Sequence, residues 1–451
     1  MNIQTKSVNK KSANNKSYFR KIITGTTGLA VACLFSSLSF AMSPDSATKY
    51  SYDKEIAKLA ALPKVEKALK FTLSQSKINE ADLIELTEIP APPFGEDKRA
   101  NRFADMLRNA GLSDVSIDDV GNVIGRRPGT KDGRVVAISA HLDTVFPIET
   151  DVKVRREGRR LYAPGIGDNT AGVVMILSVL RALEHADITT RDTVLFIGNV
   201  GEEGLGDLRG IKHLFRKQAE KIDSIIVVDG GKLSRMVVGG VGSHRYRVTF
   251  KGPGGHSWGA YGLVNPHHAL GRAIAIFDKN AMSVANGEIK TSHNIGRIGG
   301  GTSVNSIPFE SWFEVDMRSS SQAQIDKMDA VLQKSVHQAV KEENADKKRG
   351  EDLRVDIKMV GKRPAAKGDP EWPLVNRVAA SLRYLGVEPE LTQSSTDASI
   401  PMSLGIPALT ISRGGISSGA HSLEEFWQDD EAYRAIQMGI LSLLAEAGIA
   451  K

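Results

Sequence analysis

Val194-Leu195-Phe196-Ile197, followed shortly by Gly201-Glu202-Glu203-Gly204, is the stretch on which the fold turns. Four consecutive apolar residues leave neither face of a strand polar. Such a run predicts a strand covered on both sides. Two carboxylates just past its end are costly to take out of water without a partner. Metal ions and arginines are the usual partners for such groups.

Three further runs share this character: Val135-Val136-Ala137-Ile138, Ile225-Ile226-Val227-Val228 and Ala408-Leu409-Thr410-Ile411. Between the first two strands lies a helical pattern over residues 169–185. Its apolar positions are Val173, Val174, Ile176, Leu177, Val179, Leu180 and Leu183, dense enough for a buried helix. Apolar strands alternating with helices predict an α/β fold with a doubly wound sheet. Upstream, residues 53–85 read as helical, with Ile56, Leu59, Leu62, Val65 and Leu69 apolar. The segment Ile89-Pro90-Ala91-Pro92-Pro93-Phe94-Gly95 cannot be helix interior. A helix over 96–110 is expected to turn Phe103, Met106 and Leu107 inward.

The middle of the chain reads differently. Arg245-Tyr246-Arg247-Val248-Thr249-Phe250 and Trp312-Phe313-Glu314-Val315-Asp316-Met317 alternate, the mark of strands with one solvated face. One amphipathic helix starts near Asn265-Pro266, with Asn as cap and Pro at the first helical position. Another covers 322–343, with Ile325, Met328, Leu332, Val336 and Val340 on one stripe. These features predict a small α+β domain over 243–363, inserted into a larger domain formed by 42–242 and 364–451. A cleft between two domains is a common place for a small-molecule site.

The first 41 residues carry Lys6, Lys10, Lys11, Lys16, Arg20 and Lys21, no acidic residue, and an apolar stretch ending in Ser39-Phe40-Ala41. That is the layout of a secretory signal peptide over 1–41, and it predicts an exported protein, periplasmic or secreted. The apolar stretch is short for a membrane span and is broken by Gly25 and Gly28, so no stable span is expected after cleavage. Of 59 Lys and Arg, six lie in this leader, against 53 Asp and Glu in the whole chain, so the remainder is formally neutral. Nothing in the charge balance points to nucleic acid. Cys33 is the only cysteine and falls in the leader, which leaves His, Asp and Glu as the donors for any metal site.

Each apolar run leads to an ionisable residue. The first leads to His141-Leu142-Asp143, the second to Glu202-Glu203, the third to Asp229, and the fourth to Arg413 and, further on, His421. Asp168 lies in Gly165-Ile166-Gly167-Asp168, which opens the buried helix. Parallel α/β sheets bind ligands at the carboxyl ends of their strands, so these scattered residues can converge. Two histidines and three carboxylates can hold two divalent metals, with one carboxylate bridging. Donors without sulfur fit Zn2+ best, with Co2+ or Mn2+ as alternatives. One further carboxylate must then take a proton from water, which explains a pair at 202–203: one ligand and one base. Asp143 is placed to accept the second N–H of the His141 imidazole and fix its tautomer. Taken singly each signal is weak, since Asp168 beside Asn169 also reads as a helix cap; together they carry the inference.

At these residues the chain resembles the di-zinc exopeptidase and deacylase family, which includes peptidase T, glutamate carboxypeptidase, acetylornithine deacetylase and aminoacylase. The motifs are His141-Leu142-Asp143-Thr144-Val145, Gly165-Ile166-Gly167-Asp168-Asn169, Gly201-Glu202-Glu203-Gly204, Val228-Asp229, Gly254-Gly255-His256-Ser257 and Gly419-Ala420-His421-Ser422. The resemblance implies a zinc-exopeptidase-like doubly wound mixed sheet carrying a ferredoxin-like α+β lid, a dimerisation domain in many members. It implies that His141 and Asp229 bind one zinc, Glu203 and His421 the other, and that Asp168 bridges them. Glu202 would be the general base for a metal-bridged hydroxide. His256 would stabilise the oxyanion, often in the partner subunit's site. Asn305 and Arg318 match positions that contact substrate, and Arg413 is a candidate partner for a substrate carboxylate. Asp at 229, together with Gly204-Leu205-Gly206-Asp207-Leu208-Arg209-Gly210, looks more like the peptidase branches. The implied activity is hydrolysis of short peptides, as by an aminopeptidase of tripeptidase type. The alternatives are an N-acyl amino acid amidohydrolase and a glutamate-type carboxypeptidase.

Overall fold

Alternate residues of one strand end in different cores, which is how the apolar runs are used. Phe196 packs into one hydrophobic cluster while Leu195 and Ile197 pack into another. Val136 and Ile138 divide from Ala137 in the same way, and Ile226 and Val228 from Ile225 and Val227. The two clusters lie on the two faces of one sheet, because successive strand side chains point to opposite sides. Fully burying each large apolar side chain contributes about 1.5–3 kcal/mol, so a run of four fixes both faces at once.

The computed structural model describes residues 44–131, 133–216 and 221–450; the predicted leader, 1–41, lies outside them. The main sheet has nine strands and is mixed. At its centre Thr193–Asn199, Val135–His141, Ser224–Asp229 and Ala408–Ser412 run parallel in that spatial order. Antiparallel strands extend it on both sides: Val123–Arg127 pairs with Thr193–Asn199, and Arg235–Gly240 with Ala408–Ser412. The helix Ala171–His185 is buried along almost its whole length and covers one face, with Tyr433–Ala447 beside it. The short helices Arg209–Leu214 and Ser399–Ser403 supply Ile211, Leu214, Ile400 and Met402 to the other cluster.

The stretch 53–85 is helical, as expected, but it is broken. Three helices occupy this region, Pro44–Ala60, Pro63–Thr72 and Ser76–Thr87. Pro63 starts a new helix at its first position, where its missing N–H costs nothing. Leu62, read as part of the apolar stripe, sits at that break and is exposed. The next helix is Asp97–Asn109, and Phe103, Met106 and Leu107 are all buried.

Between Arg235–Gly240 and Ala366–Lys367 the chain leaves the main sheet and forms a second one. Its order is Thr291–Gly300, Glu310–Ser319, Gly242–Lys251, Arg354–Arg363, all antiparallel. The helices Pro266–Ala285 and Gln322–Asp346 pack on it around Val248, Phe250, Phe277, Phe313 and Leu332. The chain order is thus β-α-β-β-α-β. Asn265 caps the first helix by accepting the His267 N–H at 2.9 Å.

Candidate metal centre

His141 is the last residue of Val135–His141, and Asp229 the last of Ser224–Asp229. Glu202 and Glu203 follow Thr193–Asn199 by a short loop, and Arg413 follows Ala408–Ser412 directly. Four parallel strands therefore deliver their chemistry to one edge of the sheet. Asp168 reaches the same edge from the turn Ile166–Thr170, which opens the buried helix and contains a cis Asp168-Asn169 peptide. Asp168 caps nothing: no side-chain cap bond is made at either helix start.

Asp168 stands between the two histidines. Its Oδ1 lies 3.4 Å from His141 Nε2 and its Oδ2 3.3 Å from His421 Nε2. Glu203 Oε1 lies 3.0 Å from the same His421 nitrogen. Potential donor atoms of His141, Asp168 and Asp229 fall within 4.8 Å of one another, and so do those of Asp168, Glu203 and His421. One carboxylate thus offers an oxygen to each of two donor sets, the arrangement a bridging ligand needs. All donors are nitrogen or oxygen, which suits a borderline divalent ion. The residues fit a dinuclear metal site.

The electrostatics agree with that fit. Burial opposes charge on Asp168, but His141 and His421 outweigh it and hold its carboxyl well below the usual range. Asp168 and Glu203 push the His421 imidazole up to about 10. Burial raises Asp229, and the nearby Asp168 adds to the rise. So many carboxylates in one place favour any cation that enters, whether a proton on an imidazole or a metal ion.

Asp143 differs in detail from expectation. Its backbone carbonyl, not its carboxylate, lies 2.9 Å from His141 Nδ1; the nearer carboxylate oxygen is 3.6 Å away. The carboxylate is occupied elsewhere, accepting the Glu202 N–H at 2.9 Å and the Glu203 N–H at 2.8 Å. It shapes the Glu202-Glu203 loop, while the main chain holds the imidazole.

Glu202 is buried and raised well above the usual carboxylate range, chiefly by desolvation, with Arg363 opposing and Glu203 adding. Arg363 Nη1 donates to Glu202 Oε1 at 2.9 Å, and Nη2 donates to the Glu202 carbonyl. Arg363 ends the strand Arg354–Arg363, so the last residue of the second sheet's final strand touches the loop that carries both glutamates. The sequence reading missed it. Its only local signal is an Arg-Pro pair at the boundary of the alternating region. Two other buried acids were missed. Asp397 accepts the Asn199 Nδ2–H at 2.7 Å and is pushed up to about 7 by burial. Glu425 holds the turn that carries Asp168.

A cleft of about 750 Å³ opens over these residues. Arg318 and Arg413, both expected near substrate, lie on its wall, joined by Arg245, Arg235 and Lys232. Arg318 and Arg245 share Asp316, donating at 2.6 and 3.0 Å. Arg413 is buried and turned towards Asp229, 3.7 Å from its Oδ1. His256 and Asn305 are placed together, on facing loops at the Gly255–His256 to Ser306–Ile307 ladder, but both are exposed and neither is on this cleft wall.

A mixed α/β sheet with a two-metal donor set at the carboxyl edge of its parallel strands defines a class, the metal-dependent hydrolases. Within that class the chain belongs to Peptidase family M20/M25/M40, whose model matches residues 137–444. It is 25% identical over 359 residues to YqjE, an uncharacterized protein of Bacillus subtilis (strain 168), covering 77% of this chain and 91% of that one. It is 26% identical over 335 residues to carboxypeptidase G2 of Pseudomonas sp. (strain RS-16), covering 70% of this chain and 75% of that one. Its fold matches the crystal structure of the aminopeptidase PepT from Bacillus cereus ATCC 10987 with a TM-score of 0.63. That match has 22% identity and covers 81% of this chain and 97% of the other.

Proposed function

We propose that this metal-dependent hydrolase cleaves the terminal amide bond of short peptides that carry a free carboxylate, outside the cytoplasm, as the leader at 1–41 implies. The observation that carries the reading is Asp168, with one oxygen facing His141 and the other His421, while Glu202, which also groups with His141 and Glu203, is engaged by Arg363. In this reading His141, Asp168 and Asp229 form one ligand set and Asp168, Glu203 and His421 the other, most simply for Zn2+. Two such ions would polarise a carbonyl and bring the pKa of a water towards about 7.

The chain's own residues supply the rest. Glu202 takes the proton of the attacking water at its carboxylate and returns it to the leaving amine. Burial, which raises its affinity for that proton, suits the task. Asp143 fixes the Glu202-Glu203 loop through two N–H bonds, so that ligand and base keep their separation. Arg318 and Arg245 share a single acid, Asp316, and so leave net positive charge on the wall for a substrate carboxylate. That preference fits peptides with a free C-terminus and also N-acyl amino acids. The similarity to a carboxypeptidase and to the fold of an aminopeptidase supports peptides. The β-α-β-β-α-β insertion would act as a lid, and His256 and Asn305 would reach a site only on closure or from a second copy.

Glu202→Gln tests the central assignment. It should lower kcat about 100-fold or more across a panel of di- and tripeptides while leaving bound metal in place. Turnover near the parent value would sink Glu202 as the base. In the parent enzyme, N-acyl amino acids cleaved faster than every peptide on the panel would move the reading to deacylation.

A further inference from the structure

Asp168 is held in place by a residue that none of the ligand motifs includes. Glu425 is almost completely buried, and its carboxylate accepts three main-chain N–H groups from one turn. Oε1 accepts those of Gly167 at 2.8 Å and Asp168 at 2.7 Å, and Oε2 accepts that of Gly165 at 2.9 Å. The Glu425 carbonyl accepts the Ala163 N–H at 3.1 Å, just upstream of the same turn. Gly167 makes this approach possible, since a Cβ there would come within 2.9 Å of Glu425 Oε1.

Glu425 lies four residues after His421. Its own N–H donates to the Ser422 carbonyl at 3.2 Å, and the Ser422 N–H to Gly419 at 2.9 Å, so the loop from 419 to 425 is folded on itself. Phe426–Gln428 then pairs with Arg160–Tyr162, just before the Asp168 turn. His421 and Asp168 are far apart in sequence, yet their loops are fastened to each other by one buried side chain. A buried loop staple with no bearing on the metals is the plain alternative.

We propose that Glu425 is the positioning residue of the centre: it locks the bridging Asp168 and the ligand His421 into one geometry and so sets metal affinity. This rests on the ligand assignment proposed above. A carboxylate is required because three donors converge on it. An amide of the same shape has one accepting oxygen and would turn N–H against N–H at one of the three bonds.

The test is zinc titration against a chromophoric chelator on the full chain, with the melting temperature of the chelator-treated protein as a control for folding. The parent should take up two equivalents. Glu425→Gln should weaken at least one of them tenfold or more. At limiting zinc its kcat should fall more than its KM changes, and excess zinc should restore turnover. Gly167→Ala, which leaves Glu425 intact but crowds its oxygen, should weaken the same equivalent. Two equivalents bound with parental affinity by both variants would overturn the inference while leaving the ligand assignment standing. A parent that binds no divalent metal would overturn the assignment itself, and the inference with it.

Discussion

Asp143 shows how one side chain can decide the spacing of two others. It has no exposed surface, and its two oxygens take the N–H groups of adjacent residues, Glu202 and Glu203. Asp143→Asn keeps the size and one acceptor but turns an amide NH2 towards the second N–H. A buried hydrogen bond to a charged group contributes about 1.5–3 kcal/mol, and leaving its partner unsatisfied costs a similar amount. Asp143→Asn should therefore lower the unfolding free energy by about 2 kcal/mol and reduce kcat at least tenfold. Urea unfolding read beside peptide turnover checks both. An unchanged midpoint with unchanged kcat would mean the loop holds its shape without this carboxylate. The sequence pointed to Asp143 but gave it another partner, because spacing shows that two residues are near without showing which atom of each is free. Arg363, Asp397 and Glu425 left no usable trace, since each acts through contacts between segments far apart in the chain. Arg99 is similar: it is almost fully buried, donates to the Thr87, Ile89 and Leu142 carbonyls, and looks like any helix surface arginine in sequence.

At the scale of elements, the strands were legible where burial left no choice. The four apolar runs are the four parallel central strands, and the alternating stretches belong to the antiparallel second sheet. Short or polar strands such as Asp114–Ile117 and Glu390–Ser394 carry no such pattern; pairing with a neighbour creates them. Between elements, Glu446 is a junction. On the helix Tyr433–Ala447, it accepts from Arg377 at 2.8 Å, from Ser224 Oγ at 3.0 Å and from Arg134. Arg377 also reaches Glu55 on the first helix. Burial works against the Glu446 charge, but the two arginines outweigh it and lower its pKa below the ordinary 4.5. A carboxyl depressed in the folded state stabilises fully above its unfolded value and loses that stabilisation as pH falls through the folded one. Glu446→Gln should thus cost about 2–3 kcal/mol at pH 7. The gap between parent and variant should close as pH drops below about 4.5. Unfolding free energies measured on both proteins across that window check the sign, and a gap that stays constant with pH would remove Glu446 titration as its cause.

At the scale of the molecule, the candidate centre joins five segments that the chain separates widely. They are the strand end at His141, the turn at Asp168, the loop at Glu203, the strand end at Asp229 and the loop at His421. Asp168, Glu203 and Asp229, with Glu202 beside them, bring like charges together at one sheet edge, and among the described residues Arg363, Arg413 and, without metal, the protonated His421 imidazole face them. Divalent ions bound there would offset that repulsion and tie the five segments together in the folded state alone. A ligand that binds only the native state stabilises it by about 4 kcal/mol at a thousand times its dissociation constant. For a chain of this length that is a rise of several degrees in melting temperature. Calorimetry with saturating zinc, after exhaustive chelation, and after zinc is returned should show high, low and high transitions. The fall should be much smaller in His141→Ala, which has lost one ligand set already. Equal transitions in all three states of the parent protein would mean that these carboxylates are held together by the fold, its arginines and the site's histidines, with no metal contributing to stability.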